Sequence, residues 1–244
     1  IAMSYWTLTD TRRSQRILWD ATRGIRRLTV DRFSSQQAAK KPWTEKDISK
    51  FHWVNTRTPS REESPEYQEL AANDFADFRL EVGGMVSAPA SFSLAELKAI
   101  SSQSQITMHT CMQGWTGIAK WTGIRVRDLL AQVGQIDPEA GWVMFESFGM
   151  AQHMHDGRPV EPYYTCLPLD MALEDDTILA WGRNDAPLSG MFGAPLRLRC
   201  ETSHGYKMIK WVRSVTLIRH YSEVGDGMGG TREDSGYQDV NARI

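Results

Sequence analysis

Ile106-Thr-Met-His-Thr-Cys-Met-Gln-Gly-Trp115 is the stretch on which the reading of the chain turns, and it runs on through Lys120-Trp-Thr-Gly-Ile124. An apolar, β-branched run leads into one cysteine, followed by a small-residue turn and two tryptophans, Trp115 and Trp121. Val126-Arg-Asp-Leu-Leu-Ala-Gln-Val133 then has the apolar spacing of a short amphipathic helix. A cysteine at a strand end, just before an irregular loop, can project its sulfur into a cavity, where it serves as a metal-binding or nucleophilic thiolate. The other reading of Cys111 is a small buried apolar residue, the commoner fate of the type. These residues alone leave both open. His109 shares a strand face with Cys111, so a cysteine-nucleophile hydrolase also stays open at this point.

Bulk composition narrows the field. The chain has 244 residues, enough for one compact domain with a substantial core. Charged residues make up 24% and apolar ones 41%, ordinary values for a globular protein, and the net charge of −2 gives no case for nucleic-acid binding. Three cysteines, Cys111, Cys166 and Cys200, cannot all pair, and none sits in a zinc-ligand spacing. No run has the length of a membrane span. The start, Ile1-Ala-Met-Ser-Tyr-Trp6, lacks a charged leader, and beginning at Ile points to a chain processed or excised from something longer. Residues 11–33 are rich in Arg with Ile and Leu interleaved, either an amphipathic stretch for an acidic membrane surface or partner, or a solvated helix.

Several segments read directly as elements. Phe51-His-Trp-Val-Asn-Thr-Arg-Thr-Pro59 reads as an aromatic strand end breaking into a turn before proline. Phe78-Arg-Leu-Glu-Val-Gly-Gly84 alternates as a strand, and Ser93 with Glu96 is a capping box opening a helix to Ile100. Trp142-Val-Met-Phe-Glu-Ser147 is a strand with a hydroxyl at its end, and Leu169–Leu173 is a short helix. Asp176–Leu188 reads as a strand and hairpin turn. Ser203-His-Gly-Tyr-Lys-Met-Ile-Lys-Trp-Val212 alternates, so one of its sides should face inward. His153 and His155 lie two apart but have no third ligand at a suitable spacing, so residues 152–157 read as a loop at the rim of a site, without dedicated zinc.

Cys-x-x-Gly-Trp, then Lys-Trp-x-Gly-Ile and a helix of the Arg-Asp-Leu-Leu kind, resembles the molybdenum-ligand segment of the sulfite oxidase family. Within it, the chain is most similar to the branch containing the bacterial methionine-sulfoxide reductase catalytic subunit. The resemblance covers roughly residues 50–220 in chain order. It implies an α+β fold of mixed sheets with short helices, a sulfite oxidase-type molybdopterin-binding domain. Residues 1–49 are then a basic extension and linker, 50–220 the catalytic domain, and 221–244 a C-terminal tail packed on it or trailing it.

The resemblance also implies a site. Cys111 supplies a thiolate to molybdenum held by one molybdopterin, a soft ligand for a redox metal. His52, Trp53, Asn55 and Arg57 fall in a phosphate- and pterin-contacting loop, although the family's Arg-Asn-His order is not kept. Ser147 stands where the family has a small hydroxyl touching the cofactor. Phe192-Gly-Ala-Pro-Leu-Arg-Leu198 matches a second segment, with Phe192 replacing a polar residue and Arg197 retained for a phosphate. Lys207, Met208, Ile209 and Lys210 match a third, cofactor-clamping segment. Tyr163, aligned on the proline of Glu161–Leu169, is the active-site phenol, with Tyr164 one residue away.

The implied activity is two-electron oxygen-atom transfer. No cation follows Cys111 and the early arginine is displaced to Arg57, which favours reducing a neutral S-oxide or N-oxide over oxidising sulfite. Electrons would come from a membrane cytochrome or another electron-transfer partner. The chain is expected to be a monomer without haem, on the extracytoplasmic side. A catalytically silent domain that keeps the fold is the rival reading, supported by Phe192.

Overall fold

The computed structural model describes residues 42–151, 161–201 and 203–237, together with Ser14, 16–18, Asp20, Ala21 and Ile25. The basic stretch 11–33 lies mostly, and the histidine pair at 153 and 155 wholly, outside the described residues.

Two five-stranded sheets carry the fold. The first joins β1 (Arg79–Gly84), β2 (Ala90–Ser93), β5 (Trp142–Met150), β6 (Pro162–Pro168) and β10 (Val212–Ile218) in the order β2-β1-β10-β5-β6. β1 and β10 run parallel and the other neighbours antiparallel, so the sheet is mixed. Leu80 and Val82 of β1 are buried while Arg79 and Glu81 face water, the period-two pattern of a strand with one face on a core. The second sheet runs β3 (Gln103–Thr110), β4 (Thr116–Arg125), β7 (Thr177–Arg183), β8 (Ala186–Pro187), with β9 (Arg197–Cys200) also on β7. Asn184 and Asp185, both at positive φ, make the two-residue turn between β7 and β8 that twisted hairpins favour.

Beyond residue 42 the helices among the described residues are short: α1 (Pro65–Ala72), α2 (Leu94–Ile100), α3 (Val126–Leu130), α4 (Leu169–Ala172) and α5 (Thr231–Asp234). Ser93 accepts from the Glu96 amide and Glu96 reaches back to the Ser93 amide, the capping box expected at α2. One apolar cluster draws Leu80 and Phe145 from the first sheet, Ile124 and Leu198 from the second, and Leu97 and Leu129 from the helices. Truncating a side chain such as Phe145 to alanine there costs about 3–5 kcal/mol. Among the described residues no helix is long and apolar enough to cross a membrane.

One expectation is corrected. Residues 51–59 form no strand; they run outside any ladder with a bend at Thr56, leaving their side chains free to line a cleft. Residues 203–212 do bury one side, with Lys207, Met208 and Ile209 inside, but a 3-10 turn at Gly205–Lys207 and a positive φ at Trp211 interrupt the alternation, and the strand ladder begins at Val212. Residues 229–233 of the tail pack on the domain. Thr165 bridges to Gly230, Cys166 donates its amide to the Gly229 carbonyl, and Glu233 is buried against Lys207.

Candidate functional site

The β3–β4 hairpin determines where the cysteine goes. Thr110 pairs with Thr116, leaving a five-residue loop closed by Cys111 N–H to the Trp115 carbonyl (2.9 Å) and Gly114 N–H to the Cys111 carbonyl (3.0 Å). Gly114 sits at φ +87°, a conformation that a β-carbon disfavours. The tight loop turns the thiol off the strand and into a cleft with a cavity volume of about 190 Å³. Asn55 Nδ2 donates to Cys111 Sγ at 3.5 Å, so residues 52–57 and the cysteine loop share this cleft.

Most of the residues chosen from sequence are brought together here. His52, Trp53, Asn55, Arg57, Cys111, Ser147, Tyr163, Phe192, Arg197, Met208, Ile209 and Lys210 all line the cleft. Lys210 Nζ donates to the carbonyls of Asn55 (2.7 Å), Thr56 (3.1 Å) and Met191 (3.0 Å), tying three loops around the opening. Thr56 and Trp211, non-glycine residues at φ +61° and +57°, lie beside that tie, so backbone strain gathers on the cleft wall. Ser147 is less open than its position suggested. Its hydroxyl donates to the Lys210 carbonyl at 2.7 Å and accepts from the Gly149 amide at 2.8 Å.

Lys207 does not join them. Its side chain is fully buried away from the cleft, ion-paired with Glu233 and donating to the carbonyls of Cys166 (3.1 Å) and Gly229 (3.2 Å). The 3-10 turn rotates it to the far side of the segment that carries Met208–Lys210. Strand alternation resolves the tyrosine pair. Tyr163 lines the cleft, whereas Tyr164 points to the other face of β6 and bonds Asp234. Burial raises the Tyr163 phenol well above its ordinary range, and its proton is donated to the Tyr206 carbonyl at 3.2 Å.

Charge is concentrated on one wall. Trp121, fully buried, is crossed by the guanidinium groups of Arg199 at 4.5 Å, Arg197 at 5.3 Å and Arg183 at 5.8 Å. Glu201 pairs with Arg199 at 2.6 Å. Arg197 donates only to the Phe192 carbonyl (3.2 Å), and its Nε, like that of Arg183, is buried without a partner among the described residues. Burial, with neighbouring Arg199, pulls Arg197 down to about 9. Burial and Arg197 pull Lys210 to about 7, and burial and Arg183 hold His52 near 3. Buried cations left without an anion are costly, so this wall fits an anionic ligand. Phe192, where a polar residue was expected, lies 4.0 Å from the Arg183 guanidinium carbon and acts as its cation–π platform.

Sequence reading missed part of the site. His109 was noted only for sharing a face with Cys111; Arg199 donates to its Nδ1 at 3.0 Å, which leaves Nε2 to carry the proton on the cleft side. Burial, then Arg199, keeps this imidazole far below its ordinary range and neutral. Arg183 and Arg199 sit on separate strands and meet only through the sheet register. Tyr206, Arg232 and Tyr237 come from a turn and the tail, where no local pattern marks them.

Residues 67–224 match the oxidoreductase molybdopterin binding domain family. A protein of Azospira oryzae named as a protein-methionine-sulfoxide reductase subunit is 33% identical over 69% of this chain and 57% of its own length. The protein-methionine-sulfoxide reductase catalytic subunit of Xanthomonas axonopodis pv. citri is 32% identical over 59% of this chain and 46% of its own. The chain thus spans about half the length of these curated relatives. The solved sulfane dehydrogenase SoxCD of Paracoccus pantotrophus is similar at a TM-score of 0.49 and 23% identity, over 59% of this chain and 39% of its own. The chain belongs to the molybdopterin-binding oxidoreductase family.

Proposed function

We propose that this domain is a molybdopterin-dependent oxidoreductase that reduces an S-oxide, or failing that an N-oxide, by two-electron oxygen-atom transfer at a Cys111-ligated metal. The donor set of the cleft fits such a group. A thiol opens into the same cavity as an arginine whose buried Nε has no partner, so one wall suits a soft metal and another suits a phosphate. That juxtaposition carries the reading. Bound there, the molybdenum–pterin group would supply redox and oxygen-exchange chemistry that side chains lack.

The chain's own contribution is binding, orientation and charge. Cys111 would ligate the metal, with Asn55 Nδ2 holding the sulfur in place. Arg197 would receive the phosphate, and the half-buried Lys210 would add charge while keeping its loops closed. His109 Nε2–H is a neutral donor facing the cleft, and His52 packs against His109, Trp115 and Trp121 at centroid distances of 6.0–6.4 Å. Tyr163 sits on the substrate side as a neutral phenol. In the reaction an S-oxide takes up two electrons and two protons and leaves as thioether and water. The electrons would come from a membrane cytochrome or other electron-transfer partner, a reading supported by the word "subunit" in both relatives' names.

Side-by-side assays with methionine sulfoxide and sulfite, on protein analysed for molybdenum, test the reading. Molybdenum-loaded protein should reduce the sulfoxide with an artificial donor. Brisk sulfite oxidation without sulfoxide reduction would reverse the substrate choice, and protein that never acquires molybdenum would support the silent-domain rival.

A further inference from the structure

Four cationic side chains line the cleft, and three are held by a carboxylate or by backbone carbonyls. Arg57 is exposed and paired with Glu63 at 3.0 Å; Lys210 is held by three carbonyls; Arg197 is buried on the Phe192 carbonyl. The fourth, Arg232, has no carboxylate partner among the described residues. Its guanidinium reaches the Tyr163 phenol and lies 5.7 Å from the ring centroid of Tyr163 and 5.7 Å from that of Tyr237.

Its placement is fixed from both sides. Glu233 pairs with buried Lys207, and Asp234 accepts from the Tyr164 hydroxyl and from the amides of Asp226 (3.2 Å) and Met228 (3.1 Å). The Tyr237 amide returns to the Arg232 carbonyl at 3.0 Å. An arginine on so tied a turn loses little freedom on meeting a ligand, and it stands beside Tyr163, whose proton is given to the Tyr206 carbonyl. The segment lies beyond residue 224, outside the stretch that matches the family model.

We infer that Arg232 is a specificity-determining residue that pairs with an anionic group on the substrate, so that the preferred S-oxide carries a carboxylate near its sulfur. The inference rests on the S-oxide reading for its choice of substrate, but the pairing itself can be measured without turnover. N-acetylmethionine and its neutral amide serve as probes of the molybdenum-loaded protein, followed through the fluorescence of Trp53 and Trp115 on the cleft wall. The acid should bind about tenfold tighter than the amide or better, as a charge-assisted pair on guanidinium gives. Arg232→Gln should bring the two affinities together and Arg232→Lys should keep part of the gap, both with unchanged molybdenum content. Equal binding of acid and amide by the unaltered protein would overturn the inference, as would an undiminished preference in Arg232→Gln. In turnover with the two sulfoxides the preference should appear in KM and not in kcat. Protein that prefers the acid yet reduces neither sulfoxide sinks the reaction alone; protein that reduces both with equal KM sinks the role of Arg232 alone.

Discussion

Lys207 and Arg197 are both buried cations a few residues apart in the chain, and they meet opposite fates. Lys207 finds Glu233, a carboxylate supplied by the same chain, together with two carbonyls. Arg197 finds one carbonyl and the face of Trp121, and its Nε has no partner among the described residues. Removing charge from water is expensive in both places, and only the first is compensated within the fold. The compensated cation is part of the architecture and docks the tail. The uncompensated one marks where an anion from outside belongs.

The largest expected effect follows from that contrast. Arg197→Met should weaken cofactor retention by about 30-fold or more, since truncating one partner of a buried charge pair costs about 2–5 kcal/mol. The cofactor-free protein should be no less stable, because an uncompensated charge has been removed. Molybdenum and pterin content, read beside the thermal midpoint of the stripped protein, check both halves; retained cofactor with a lowered midpoint would invert the comparison.

Lys207→Met should do the reverse. It strands Glu233 and should cost about 3–5 kcal/mol of stability with or without cofactor. Pairing it with Glu233→Leu should recover much of the loss, because an apolar pair often replaces a buried ion pair at little cost. Urea unfolding of the single and double variants measures this, and a double variant as weak as the single would show that the pair does more than neutralise itself.

Both lysines of the 207–210 run looked alike in sequence, and their separation shows what was legible. Strand alternation in β1, the capping box of α2 and the strand leading to Cys111 depend on neighbours within a few residues, and each reads directly from the chain. The alternation of residues 203–212 did not reveal which lysine faces the cleft, because a 3-10 turn opening at Gly205 and the left-handed Trp211 break the period. Arg183, Arg199, Arg232 and Glu233 owe their roles to long-range pairing. The register of β7 with β9 brings the first two to Trp121, and the docking of α5 on β6 brings the others to the cleft and to Lys207. Tyr163 and Tyr164 were separable only once β6 had a core side.

A smaller effect concerns pH. The folded state holds His52 near 3 against about 6.5 in the unfolded chain, so the unfolded chain binds more protons between those values. Stability of the cofactor-free protein should therefore fall as pH drops from about 6.5 towards 3. A bound phosphate beside the arginines offsets their effect on His52, so the loaded protein should lose less. Unfolding midpoints of both forms at pH 7 and 5 test the sign; an identical slope in the two would detach His52 from the anion site. The smallest effect is at the architectural end: Tyr164→Phe, losing the bond to Asp234, should cost about 1–3 kcal/mol of stability and leave molybdenum content unchanged.

The most direct test is X-ray absorption at the molybdenum edge, comparing protein made in a cofactor-replete host with its Cys111→Ser variant. Stoichiometric metal in the parent, with one sulfur fewer around it in the variant, is the expected result. A parent without molybdenum, or an unchanged sulfur shell in the variant, would contradict a thiolate site at the end of β3.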